Sequence, residues 1–208
     1  GGIAKILEMS GPPSQASSYG NLRHLVVVPH PHPEVARHSV LNALRLASVK
    51  ASVYLARTAQ GKTPDSTQVF DLDGAGEDGR KDLPRVAYIG QIHGHQHGTE
   101  VDENILYGGN TRGMLPVPLH PNEWLDGAVV VSYSWGARGL DTYFHQNHPI
   151  ILDLYRLHEA KEITFAGVVA TTSSGQLDEL NRNCMVAAQI VKHTFKADGV
   201  IITKYAGG

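Results

Sequence analysis

Between Ile163 and Thr203 the sequence runs from an apolar, β-rich segment (ITFAGVVA) through a helical stretch, Gln176 to Lys196, into a second apolar segment (GVIIT). Two strand-length runs joined by one helix make a βαβ unit, which in nearly all sheets is parallel and right-handed. That feature restricts the chain to an α/β architecture. Three more segments read as buried strands: Leu22–Val28, Arg85–Ile92 (RVAYIGQI) and Asp126–Ser132 (DGAVVVS). Helices are expected from Pro33 to about Thr58 and from Pro149 to about Glu159, since proline is tolerated in a first turn and apolar residues recur at spacings of three to five. The predicted fold is therefore α/β, a mostly parallel sheet with helices on both faces, incomplete at both ends. The strand ending near Thr203 has no return helix after it, so the expectation is a segment, or a processed half, of a larger subunit.

Two parts are expected. Residues 1–84 form an N-terminal α/β segment with an exposed Gly- and Asp-rich connector (Gly61 to Pro84), and residues 85–208 form an α/β segment that carries the histidine-rich run and the βαβ unit. Asp102 to Pro118 is ambiguous, with YGGNTRG and two prolines arguing for loop. Composition narrows the function classes: a formal net charge of −2 with interspersed charges carries no footprint for nucleic acid or anionic lipid. The single cysteine, Cys184, excludes an internal disulfide and fits a reducing compartment, hence a cytoplasmic location. It shares a stripe with Leu177, Leu180, Ala188 and Val191, so it reads as a small core residue.

The twelve histidines matter because several cluster. The densest run, HGHQHGTE from His93 to Glu100, follows a predicted strand directly. On extended backbone, residues two apart project to one face, so His93, His95 and His97 can converge on a transition metal such as zinc, iron or nickel, with Glu100 or His145 as a further ligand or acid–base group. Asp102 or Glu103 would then hold the imidazoles' second nitrogens. The competing reading is a solvated glycine-rich loop. His30 and His32 follow another predicted strand, and there a proline-rich lead into the next helix, with surface and capping histidines, is the favoured reading. His145, Gln146, Asn147 and His148 precede the helix at Pro149, where backbone amides favour anions and polar side chains orient a carboxylate substrate; ordinary capping by Asn147 is the alternative. No G-x-S-x-G, Walker A or G-x-G-x-x-G pattern is present.

The order of short blocks adds a resemblance. MSGPPSQASSYG at Met9, HPEVARHSVLNALRLASVKASVYLA at His32 and LPRVAYIG at Leu83 are followed by LDGAVVVS at Leu125 and DTYFHQNHPIILDLYRLH at Asp141. ITFAGVVATT at Ile163 and ADGVIITKYAGG at Ala197 complete the series. Together they resemble the component B proprotein subunits of glycine, sarcosine and betaine reductases. The resemblance implies reductive cleavage of a C–N bond in an amino-acid-derived substrate, held as a Schiff base on a pyruvoyl group made by self-cleavage at an internal cysteine. In such subunits that cysteine follows the strand matching Ala128–Ser132, whereas here SYSWGARGLDTYF contains none. The Asn183–Cys184 dipeptide falls in a predicted helix. The expectation is a member without pyruvoyl, in which a metal polarises the substrate or activates water. Such a chain acts in reductive, hydrolytic or lyase-type C–N chemistry on a small amino-acid-like or amide-like compound, with a second polypeptide (the remainder of the precursor or a partner subunit) covering the strand at Thr203. A non-catalytic scaffold subunit of a multi-subunit reductase is the other reading.

Overall fold

The computed structural model describes residues 11–15, 25–72, 80–92, 113–127, 129, 146–172 and 176–203. After a one-turn helix, α1 (Gly11–Ser14), come α2 (Arg37–Thr58), β1 (Arg85–Ile92), β2 (Val117–Leu119) and α3 (Pro121–Leu125). They are followed by α4 (Pro149–Glu159), β3 (Thr164–Thr172), α5 (Leu177–Gln189), which runs on as a π-helical turn over Ile190–Thr194, and β4 (Gly199–Thr203). The sheet is open and mixed, in the order β2-β3-β1-β4. β1 pairs in parallel with β3 and β4, and β2 runs antiparallel along β3. β1 therefore lies between the two strands of the predicted βαβ unit.

Helices cover both faces. Tyr88 and Ile92 of β1 and Phe165, Val168 and Ala170 of β3 pack under Trp124 of α3 and Ile151, Leu154 and Tyr155 of α4. On the other face Ala87, Ile89 and Val169 meet Ala187 of α5 and Val191. Burial on both sides is why β1 reads as a nearly continuous apolar run. The pairing skips one residue between Val86 and Ala87, which face Phe165 and Gly167 respectively. That bulge puts Phe165 and Val168 on the same face although they are three apart. Gly167 sits there at φ 141°, and a Cβ would lie 2.7 Å from Phe195 Cζ.

Several expectations are corrected. Leu25–Val28 is not a sheet strand: all four residues are exposed by at least 53% and none joins the sheet, while Leu22, Arg23 and His24 lie outside the described residues. Strand propensity without a partner leaves a run unpaired. α2 begins at Arg37, because Val35 N–H bonds His32 O and closes a turn across Pro33. Asp126 is the C-cap of α3 and Gly127 turns at φ 86°, so the expected strand does not start there; most of Ala128–Ser132 lies outside the described residues, and Val129 is buried. The ambiguous stretch ends in the first two residues of β2, where Pro118 is accommodated on an edge strand. α4, which opens at Pro149 as expected, buries Ile151, Leu154, Tyr155 and His158, with Ile150 partly buried against the same core.

α5 is rotated from its expected setting. Asn183, Ala187 and Val191 face inward, and Asn183 Nδ2 donates to Thr172 O at 3.4 Å. Leu177, Leu180 and Cys184 are exposed, so the cysteine is a surface residue. No helix among the described residues is long and apolar enough to cross a membrane.

Candidate functional site

Because β1, β3 and β4 are parallel, their carboxyl ends form one rim: Ile92 lies beside Thr172, and Gly90 beside Thr203. In open α/β sheets ligands bind at such rims. The histidine run starts one residue past the end of β1. His93, His95, His97, Glu100, Asp102, Glu103 and His145 lie outside the described residues. Among the described residues no group of three or more His, Cys, Asp or Glu side chains has metal-binding geometry.

The other predicted cluster lies at the start of α4. Gln146 and Asn147 are exposed just ahead of the helix. Gln146 packs over the turn at Gly127, where a Cβ would stand 3.1 Å from its Nε2. The N-cap is His148, not Asn147, and Pro149 occupies the first helical position, where its missing N–H costs nothing.

His148 makes no side-chain capping bond. It is buried, with Nε2 2.9 Å from Tyr88 Oη, and Tyr88 Oη lies 2.5 Å from Thr203 Oγ1. Trp124 closes the cluster, its ring meeting Tyr88 edge-on at 5.8 Å and His148 at 5.8 Å. Burial pushes the His148 imidazole down to about 4 and the Tyr88 phenol upward, the latter opposed in part by the Thr203 hydrogen bond. The imidazole at the start of α4 is thus neutral at physiological pH. Sequence reasoning noted His148 only as one of a polar group and missed Tyr88 and Thr203. The available signal was a tyrosine in a strand otherwise read as buried, since a buried phenol requires a partner.

His30, His32 and His158 are structural or superficial. His30 and His32 are exposed, and His32 Nδ1 lies 3.9 Å from Glu34 Oε2. His158 Nδ1 accepts the Phe165 N–H at 3.2 Å, while Arg80 donates to His158 O at 2.6 Å. The first bond joins α4 to the amino end of β3, away from the rim, and the second joins it to the segment ahead of β1. A cavity of about 580 Å³ beside them is lined by Phe70, Asp71, Arg80, Asp153 and Tyr155, among others.

A sequence profile for the component B subunits of glycine, sarcosine and betaine reductases matches residues 3–208. The chain belongs to this family. It is 31% identical over 98% of its length to the glycine reductase complex component B subunits alpha and beta of Acetoanaerobium sticklandii, and 30% identical over the same share to the protein of that description from Peptoclostridium acidaminophilum. The sarcosine reductase complex component B subunit alpha of Peptoclostridium acidaminophilum is 26% identical, again over 98% of the chain. The chain spans 47% of the length of each of these relatives. No solved structure matches it.

Proposed function

We propose that this chain is a subunit of a reductase-like enzyme that acts on a C–N bond of a small amino-acid-like or amide-like substrate at the rim of its sheet. The observation that supports the reading is that β1 adjoins both predicted clusters, one in sequence and the other through a hydrogen bond. The histidine run departs from the end of β1, and Tyr88 of β1 is hydrogen-bonded to the residue that follows Gln146 and Asn147. In this reading Gln146 and Asn147 orient the substrate's carboxylate. His93, His95 and His97 hold a zinc, iron or nickel ion, and Glu100 and His145 move protons. The metal supplies Lewis acidity in place of a pyruvoyl carbonyl.

In this reading no pyruvoyl group forms in this chain, and the place of Asn183–Cys184, its one candidate, within helix α5 supports that. Elemental analysis should find stoichiometric metal in the wild type and none in a His95→Ala, His97→Ala double variant, and intact mass should show an unbroken chain. A wild type free of metal that stays active after chelation would end the metal reading, and a break before Cys184 would restore pyruvoyl.

The scaffold reading is favoured by a different observation, the apolar surface at the open edge of the sheet. Val200, Ile201 and Ile202 of β4 remain 42%, 39% and 65% exposed, and Leu177 and Met185 of α5 are 69% and 68% exposed. Uncovered edge strands invite pairing with another chain. A second polypeptide of the complex, either the remainder of a precursor or a partner subunit, is expected to cover this surface. Native mass measurement should find the chain in a complex with a second polypeptide; a stable monomer in solution would contradict that.

A further inference from the structure

We infer that Thr203, Tyr88 and His148 form a positioning chain that fixes the start of α4, and with it Gln146 and Asn147, against the rim of the sheet. The inference rests on the reading of Gln146 and Asn147 as the substrate's carboxylate contacts. It concerns residues that themselves never touch substrate, since Tyr88 is 1% and His148 4% exposed.

His148 is an unusual residue for its place. An N-cap normally carries a short oxygen-bearing side chain that accepts a first-turn N–H. His148 has capping backbone angles, φ −62° and ψ 112°, but its ring turns away from the helix amides and onto Tyr88. The position therefore contributes a link to β1 in place of a cap. Tyr88 is the centre of the link. Its hydroxyl contacts Oγ1 of Thr203, the last residue of β4, on one side and Nε2 of His148 on the other. Three elements far apart in sequence meet at one oxygen.

The chain is satisfied by either of two polarities, each of which selects one tautomer of His148. A phenol has one proton to donate, and a neutral imidazole nitrogen without a proton can only accept. Either the Thr203 hydroxyl donates to Tyr88 Oη and the Tyr88 proton goes to His148 Nε2, with the imidazole proton on Nδ1, or His148 Nε2–H donates to Tyr88 Oη and the Tyr88 proton goes to Thr203 Oγ1. Both hydroxyls and the ring are then oriented, and the backbone one and two residues upstream is held by a directional bond as well as by packing. Trp124 supports Tyr88 and His148 by ring contacts, so deleting only the phenolic oxygen leaves the shape of the cluster in place.

Tyr88→Phe and Thr203→Val, made in the full chain, separate positioning from packing. Titration calorimetry with glycine, sarcosine and betaine is expected to show binding of at least one by the wild type. Tyr88→Phe should weaken that binding about tenfold, roughly the worth of one lost hydrogen bond to an oriented group. Thr203→Val should weaken it less, and Thr203→Ser should restore it. Nitrogen-15 spectra of the His148 ring in the ligand-free protein should show a single tautomer in the wild type and a mixture of tautomers in Tyr88→Phe. Urea unfolding of each variant verifies the fold, and Thr203→Val carries the test if Tyr88→Phe does not fold. Equal affinity in wild type and a folded variant, or a mixture of ring tautomers in the wild type, overturns the positioning chain alone. A wild type that binds none of the three compounds overturns the carboxylate reading and this inference with it, while the ring tautomer still reports whether the hydrogen-bond chain exists.

Discussion

Gly90→Val is expected to remove about 3 kcal/mol of stability, at the upper end of what overpacking a filled core costs. Gly90 is buried in β1 and pairs with Ala170 and Thr203. A Cβ there would overlap Trp124 Cη2 and stand 3.0 Å from both Trp124 Cζ2 and Tyr88 Cε1. Trp124 is 1% exposed and wedged between Tyr88 and His148, so the indole has nowhere to move. Strand propensity argues the other way, since valine is favoured over glycine in strands, but that whole scale spans only about 1 kcal/mol. The overlap wins. Against a total stability of roughly 5–15 kcal/mol the loss is large. Urea unfolding followed by tryptophan fluorescence measures it directly, and a Gly90→Val protein as stable as the wild type would mean that Trp124 is not seated over β1.

Acid should destabilise the protein through His148 before most carboxylates titrate. In the folded state burial holds this imidazole at about 4, below its ordinary value of 6.5. The unfolded chain therefore takes up the proton first. Above pH 6.5 both states are neutral and the group costs nothing. As the pH falls from 6.5 towards 4 the unfolded state is increasingly favoured, by up to about 3 kcal/mol, and below 4 the difference stops growing. Urea midpoints measured between pH 7.5 and 4.5 should fall steeply in the wild type. They should fall much less in His148→Gln, which is less stable at neutral pH but has no proton to gain at this position. A pH dependence unchanged by the substitution would show that the imidazole is not buried as described.

The elements legible in the sequence are those set by local chemistry. β1 and β4 fall where their apolar runs do, and α4 begins at the proline that its first turn tolerates. α5 occupies most of its predicted span. Family membership is also a property of the sequence, carried by ordered blocks from Met9 to the final strand, and the profile match over residues 3–208 agrees with it. These features need no knowledge of which element lies beside which.

Tertiary structure decided everything that depends on neighbours. Periodicity could not say that β1 separates β3 from β4, because strand order is settled by which faces the helices cover. It placed Cys184 inside, whereas the small side chain of Ala187 against Val169 and the hydrogen bond from Asn183 to β3 turn α5 so that the thiol faces out. It made Leu25–Val28 a strand, although a strand exists only where another backbone pairs with it. The contacts of Tyr88 with His148 and Thr203 bridge 60 and 115 residues of sequence, beyond the reach of any local pattern. The residue types and the strand-to-helix order were determined by the sequence alone. Which buried polar groups satisfy one another was decided only by the packed sheet, since a hydrogen bond between distant residues forms where the fold removes both from water.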